Sequence, residues 1–168
     1  MVSRWWLHAG CPVARVAMAA AHVDAVVVDE PAVIFEGCRP WTEPGASAYE
    51  PDLLDGKVLH FHDMDLLRIE VEPELRRLTL WFRWDSDWLP TEFRDTPVAR
   101  LDVHGARVVA WDEEPVEDVP AGVGREVRAL DFQPPNLVHC ESYNIGFTAE
   151  VRRVVLAVLP SDATSTMT

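Results

Sequence analysis

The sequence predicts a mostly β domain, of the all-β or α+β class. Its strands are expected to form a curved antiparallel sheet or a two-sheet sandwich, with one short N-terminal helix. Three observations support this prediction. Seven segments after residue 56 have the composition and spacing of strands, whereas only one segment of the chain has a convincing helical pattern. With 168 residues, of which 48% are hydrophobic, the chain is long enough to bury one core without disulfides or metals.

Residues 1–56 are interpreted as an N-terminal appendage. A short apolar segment follows Pro12, and proline is well tolerated in the first turn of a helix, so we predict a short helix there. Residues 25–28 and 32–35 are rich in β-branched side chains and predict a hairpin or two short strands. Residues 37–56 contain several prolines and glycines, which favour a long loop that joins the appendage to the main domain.

Residues 57–160 are interpreted as the main antiparallel β domain. Gly105-Ala106 separates two of its strands and predicts a tight hairpin. Residues 161–168 lack a core-forming pattern and are expected to form a disordered tail. The predicted strands cover residues 58–71, 75–84, 98–104, 107–111, 125–132, 137–141 and 147–159.

The charge and the cysteines limit the classes of partner and compartment. Twenty-eight acidic and fifteen basic residues give a formal net charge of −13, which disfavours nucleic acid and anionic membranes and favours a basic partner. Cys11, Cys38 and Cys140 are widely spaced and odd in number, which indicates free thiols in a reducing cytoplasm; a Cys11–Cys38 disulfide is the alternative. The sequence indicates neither an export signal nor a transmembrane segment.

The segment that opens the main domain has the pattern of a strand, but two aspartates fall on its apolar face. Leu59, Phe61, Leu67, Ile69 and Val71 alternate with polar residues and predict a half-buried strand. The two aspartates at positions 63 and 65 fall on the same apolar face, and burying ionised carboxylates there costs several kcal/mol unless they are paired. We therefore predict a kink or a polar site, with the first aspartate accepting hydrogen bonds at a turn or bulge.

The same segment contains the densest group of candidate metal ligands. His60, His62, Asp63 and Asp65 are the ligands of an alternative interpretation, a metal-dependent enzyme. In a regular strand the histidines and the aspartates point to opposite faces, so they share one ion only if a bulge intervenes. A catalytic pair formed by the two aspartates is a further alternative. We predict neither a catalytic residue nor a cofactor.

Several residues are candidates for a partner-binding surface. In the strand that contains Leu80, Phe82 and Trp84, the alternate positions place Trp81 and Arg83 on the opposite face. Trp and Arg are the side chains that most often anchor protein interfaces, and a further tryptophan lies in a polar loop. A small-ligand carrier with a Trp-lined cavity is the alternative. The predicted partner-binding residues are His62, Asp63, Asp65, Trp81, Arg83 and Trp88.

Three segments carry a resemblance to a known family. Residues 62–67 read HDMDLL before a charged alternating strand, residues 98–111 form an apolar strand with a turn glycine, and residues 141–150 read ESYNIGFTAE. Together they resemble the bacterial immunity-protein-fifty family, whose members open with H-D-A-E-L-L and are found beside polymorphic toxins; Asp65 stands where that family usually has Glu. The resemblance covers residues 61–159 and implies an α+β or mostly β domain that neutralises a cognate toxin by binding, without turnover. We expect a monomer or homodimer.

Overall fold

The computed structural model describes residues 32–113 and 126–164 of the chain, and most of these residues lie in two β-sheets. Within these described ranges, four short 3-10 turns also occur, at Phe61–Asp63, Pro73–Leu75, Thr91–Phe93 and Ser161–Thr164. The strands are β1 (Ile34–Glu36), β2 (Met64–Glu72), β3 (Arg77–Trp84), β4 (Val98–His104), β5 (Arg107–Glu113), β6 (Val127–Gln133), β7 (Leu137–Ser142), β8 (Ile145–Glu150) and β9 (Arg153–Leu159).

The two sheets confirm the predicted mostly β class and correspond to the two-sheet alternative. One sheet has the strand order β1-β9-β4-β3-β2, and the other has the order β5-β8-β7-β6. Every described pairing is antiparallel except that of β1 with β9, which is parallel. The strand predicted at residues 32–35 is observed at Ile34–Glu36, and it pairs in parallel with β9. The helix predicted after Pro12 and the strand predicted at 25–28 lie outside the described residues.

One hydrophobic core joins the two sheets. In β3, β7 and β8 the side chains that lie in the core alternate with outward-facing ones, as the period of two requires. The core includes large side chains from both sheets, all at most 2% exposed: Leu80, Phe82, Leu101, Val103, Leu130, Val138, Phe147 and Ala149.

Two short links lie side by side where the chain passes from one sheet to the other. β4 pairs with β9, and β5 pairs with β8, so the Gly105-Ala106 and Val151-Arg152 links form a common corner. The Arg152 N–H donates to the carbonyl of His104 across this corner, at 3.0 Å. The predicted 105–106 hairpin is therefore wrong, because the link leads into the second sheet. The single strand predicted at 147–159 is divided at the same corner.

The kink predicted at the start of the main domain is present. Residues 61–63 form a 3-10 turn, and β2 begins only at Met64. A bulge between Leu66 and Arg68 then shifts the register with β3. As a result, Met64 and Leu66 are buried before the bulge, whereas Ile69 packs against the core after it. The predicted strand at 58–71 thus starts six residues too early, and Val71, predicted on the apolar face, is 48% exposed.

The long loop at 37–56 is part of the main fold. The side chains of Cys38, Trp41, Ala48 and Leu53 lie in the core that the two sheets share. In the described part of the appendage, residues 32–56, the chain therefore contributes one strand and five core side chains to the main domain, the fifth being that of Val33. At the other end, the first residues of the predicted disordered tail form a 3-10 turn, Ser161–Thr164, and residues 165–168 lie outside the described ranges.

Among the described residues, no helix has the length and apolar character that a bilayer crossing requires.

Two cysteines are buried in this core as free thiols. Burial raises the pKa of Cys38 to about 11. Burial, together with the nearby Glu141 carboxylate, raises the pKa of Cys140 to about 12. Thiolates are the reactive form of cysteine, so both side chains are expected to be chemically inert in the folded protein. The alternative Cys11–Cys38 disulfide involves a residue outside the described ranges.

We expect dithionitrobenzoate to react with neither Cys38 nor Cys140 in the native protein at pH 8. A Cys11→Ser variant removes the third thiol, so the absorbance change reports only the two buried thiols. In denaturant both should react completely, because an unperturbed thiol has a pKa of about 8.5. Rapid reaction of the folded variant would contradict the burial of these thiols.

Candidate functional site

The candidate site is built around the 3-10 turn that precedes β2. The ring of Phe61 is fully buried and packs edge-on against Phe82, with 4.6 Å between ring centroids. The flanking side chains of His60 and His62 stay about two-fifths exposed. Their imidazole rings lie side by side on the surface, with centroids 5.4 Å apart. Burial of one apolar ring thus holds two imidazoles together at the surface.

The loop before β2 runs antiparallel beside this turn. The Phe61 N–H donates to the carbonyl of Tyr49, and the Leu59 N–H donates to the carbonyl of Pro51, both at 3.1 Å. These two hydrogen bonds place Glu50 opposite His60. The Tyr49 hydroxyl donates to the carbonyl of Val127 at 2.8 Å, which ties the loop to β6.

Glu50, His60 and His62 form a cluster of potential metal ligands, named here the Glu-His-His cluster. One donor atom from each side chain lies within 4.8 Å of the other two. Glu50 Oε1 lies 3.4 Å from His60 Nδ1 and 3.8 Å from His62 Nδ1. The second nitrogen of His62, Nε2, lies 3.1 Å from Asp63 Oδ1. The three donor side chains are therefore two imidazoles and the Glu50 carboxylate, and the Asp63 carboxylate lies next to the second nitrogen of His62.

An acidic pocket of about 390 Å³ lies beside this cluster. Its walls come from three parts of the chain: the 3-10 turn with the start of β2, the loop after β3, and the residue before β6. The Asp85 N–H donates to the Asp63 carbonyl at 3.4 Å, and Glu126 forms an isolated antiparallel bridge with Asp65. The lining residues are His62, Asp63, Met64, Asp65, Asp85, Trp88 and Glu126.

The carboxylates of this region affect the pKa of the neighbouring tyrosine, Tyr49. Burial and the carboxylates of Asp63 and Glu50, together with those of Glu126 and Asp131, raise the pKa of Tyr49. The phenol therefore stays protonated at neutral pH and keeps its hydrogen bond to β6. The pocket concentrates four carboxylates around one imidazole and one indole, which favours a cationic or basic ligand.

Trp88 is the most exposed aromatic side chain of the pocket, although its loop is anchored. The Asp85 side chain accepts a hydrogen bond from the Asp87 N–H at 2.8 Å, and the Trp88 N–H donates to the Asp85 carbonyl at 3.1 Å, which closes a turn. Further along the loop, Phe93 is fully buried and stacks on Trp84 at 5.5 Å. Trp88 is nevertheless 69% exposed. A large apolar side chain on an ordered turn is typical of a contact surface.

The structure brings four of the six predicted partner-binding residues together, places Arg83 beside them and separates Trp81. His62, Asp63, Asp65 and Trp88 line the acidic pocket. Arg83 is exposed and lies opposite Asp65 in the β2–β3 register, at the edge of this group.

Trp81 belongs to a different environment. It lies on the outer face of the five-stranded sheet, is only 7% exposed, and contacts the guanidinium groups of Arg68 and Arg100 at 6.0 and 5.5 Å. Both distances fall in the cation–π range. Trp81 thus packs on the outer face of the sheet and is not an exposed interface residue.

The predicted metal-ligand set is only partly assembled. His60 and His62 do share one cluster, but Asp63 lies behind the second imidazole and Asp65 lines the acidic pocket. The third member of the cluster is Glu50, which sequence reasoning missed because it lies in the loop ten residues before His60. The pattern Tyr-Glu-Pro before an apolar strand was the only signal, and it is too common to identify a ligand.

The tryptophans are dispersed through the described structure, which does not favour a cavity lined by several of them. Trp41 and Trp84 are buried in the core, at 6% and 3% exposure. Trp88 and Trp111 are exposed on different strands or loops, and Trp111 stacks on Phe147 at 6.0 Å. A Trp-lined carrier cavity therefore has little support in the described residues.

Comparisons with known proteins give no further indication of function. No protein-family model, curated protein or solved structure matches this chain. The resemblance of three short segments to the immunity-protein-fifty family therefore stays a prediction from the sequence.

Proposed function

We propose that this chain is an acidic cytoplasmic binding protein that neutralises a cognate toxin by direct protein–protein contact. The observation that carries the proposal is the position of Trp88, 69% exposed on an anchored turn and surrounded by the carboxylates of the acidic pocket. An indole beside several carboxylates suits a partner that has an apolar depression bordered by Lys or Arg.

The charge of the chain supports the same kind of partner. A net charge of −13 accelerates the encounter with a basic domain and disfavours polyanions. The pocket is a surface feature rather than a deep enclosed cleft, because the side chains of His62, Asp63 and Trp88 all retain contact with solvent. The proposed function requires contact and no turnover, and an open pocket of this kind is accessible to a protein partner.

Energetics indicate that Trp88 is the dominant contact. Covering most of an exposed Trp removes roughly 170 Å² of mainly apolar surface from water, which is worth about 3–4 kcal/mol. The carboxylates around it affect mainly the association rate and the choice of partner. Affinity is accordingly expected to fall with increasing salt, because exposed charges are screened.

Replacing Trp88 with alanine is expected to weaken partner binding by about 30-fold or more, the effect of losing an interface hot spot. The probe is the basic domain of a multidomain toxin encoded next to this chain's gene, and calorimetry measures the affinity. Trp111→Ala is the matched control, since Trp111 is exposed at 41% on β5, away from the acidic pocket. Unchanged affinity in Trp88→Ala, or a metabolic operon where the toxin gene is expected, would contradict the proposal.

A further inference from the structure

The Glu-His-His cluster has the composition and spacing of a metal site. We propose that Glu50, His60 and His62 bind one zinc ion, and that Asp63 holds His62 in the tautomer that binds the metal. This inference is independent of toxin binding, although His62 also borders the acidic pocket.

The two carboxylates near the His62 ring support a cation between the donors. A neutral imidazole carries one N–H, and Nε2 lies within hydrogen-bond distance of the Asp63 carboxylate, at 3.1 Å. When Nε2 donates to Asp63, Nδ1 keeps its lone pair. In that tautomer Nδ1 and Glu50 Oε1, which lie 3.8 Å apart, are both hydrogen-bond acceptors. A metal ion between them removes this conflict and satisfies both atoms.

The distances between donors fit a small tetrahedral ion. Zinc binds imidazole nitrogen and carboxylate oxygen at about 2.1 Å, so its donor atoms lie about 3.4 Å from one another. Glu50 Oε1 lies 3.4 Å from His60 Nδ1 and 3.8 Å from His62 Nδ1. All three donors lie within 4.8 Å of one another, so rotations of exposed side chains are enough to close the site.

The backbone positions these ligands before any ion binds. Hydrogen bonds from Phe61 to Tyr49 and from Leu59 to Pro51 hold Glu50 opposite His60. The Glu50 N–H also donates to Ser47 Oγ at 3.0 Å, which fixes the turn of the loop. A set of ligands held by ordered backbone loses little conformational entropy on binding.

The carboxylate behind His62 completes a common arrangement of zinc sites. A histidine ligand usually donates its second N–H to a carboxylate, which fixes the ring and raises its basicity. Asp63 occupies this position. Two nitrogen donors favour zinc over magnesium or calcium, which prefer oxygen ligands. Three protein ligands leave a fourth position for water, and the partial exposure of all three side chains gives the ion access from solvent.

The test is calorimetric titration of zinc chloride into the full chain, purified without a tag and treated with a chelator. We expect one equivalent of zinc to bind. Glu50→Gln, His60→Ala and His62→Ala should each lower the affinity by at least about 10-fold, and Asp63→Asn should lower it about 10-fold through the imidazole. His139→Ala is the control, because that imidazole contacts Thr148 in the other sheet, at 3.1 Å. It should bind zinc as the native chain does.

Cobalt substitution gives a second measurement, since tetrahedral Co²⁺ with nitrogen and oxygen ligands has a characteristic visible spectrum. The spectrum should appear in the native chain and in Trp88→Ala, and should be lost in His60→Ala and His62→Ala. Urea titrations establish that each variant is folded. Absence of stoichiometric zinc binding, or an affinity in all three ligand variants equal to that of the native chain, would overturn the metal site. Because no toxin is present in either measurement, these results are separate from the test of the proposed function.

Discussion

Replacing Gly37 with alanine is expected to lower the free energy of unfolding by about 2–5 kcal/mol, the sum of a left-handed backbone penalty and a steric clash. Gly37 has φ +82°, and a Cβ atom built on it lies 1.8 Å from the carbonyl oxygen of Leu156. That oxygen belongs to β9, which lies between β1 and β4 in the five-stranded sheet. The backbone of an interior strand has little freedom to move, so the strain cannot be relieved cheaply.

Gly45→Ala is the matched control for this variant. Gly45 has nearly the same backbone conformation, φ +77°, but no atom lies within 4 Å of the corresponding Cβ position. It should therefore show only the backbone penalty, about 1–2 kcal/mol. Urea denaturation of both variants separates the two contributions. Equal destabilisation of Gly37→Ala and Gly45→Ala would mean that the loop does not approach β9 as closely as the structure shows.

The second large effect is expected for Phe61→Ala, which should lose about 3–5 kcal/mol of stability. Phe61 is fully buried against Phe82 and lies between the two histidines of the Glu-His-His cluster. Truncating the ring leaves a cavity beneath the 3-10 turn and removes the anchor that holds both imidazoles. Zinc affinity should fall together with stability, because the ligands are no longer pre-positioned.

Phe61→Leu tests whether the turn requires an aromatic ring at this position or only a large apolar side chain. A hydrophobic substitution of similar size usually costs less than about 1.5 kcal/mol, so this variant should stay close to the native chain in stability. If Phe61→Ala is no less stable than Phe61→Leu, the turn does not depend on this ring. Stability is measured by urea denaturation, and zinc affinity by the titration described above.

The zinc site and the partner surface share one wall of the fold but depend on different side chains. Glu50 and His60 belong only to the cluster, whereas Asp85 and Trp88 belong only to the acidic pocket. Variants in each pair therefore test one property without the other. His62 and Asp63 take part in both, so their substitution alone does not separate the two proposals.

The candidate site was predictable only where neighbours in sequence were also neighbours in space. The HFHDMD segment, residues 60–65, identified the turn and two imidazoles, because consecutive residues cannot lie far apart. Glu50 reaches them through backbone pairing with residues 59–61, and Glu126 reaches Asp65 through an isolated bridge. Such long-range pairings leave no periodic signal in a single sequence.

Local pattern likewise determined the mostly β class and located β3, β4, β6 and β7 to within about two residues. These strands are rich in apolar residues, and each places core side chains on one face of its sheet. Only the tertiary structure decided that Gly105-Ala106 and Val151-Arg152 form a corner between two sheets. It also decided that Trp81 is buried while Trp88 is exposed, and that the Glu50 carboxylate lies beside His60 and His62. The physical reason is that the alternation of apolar and polar residues reflects the burial of one face of a single strand. The corner, the burial of Trp81 and the Glu-His-His cluster depend on which distant segments pack against each other.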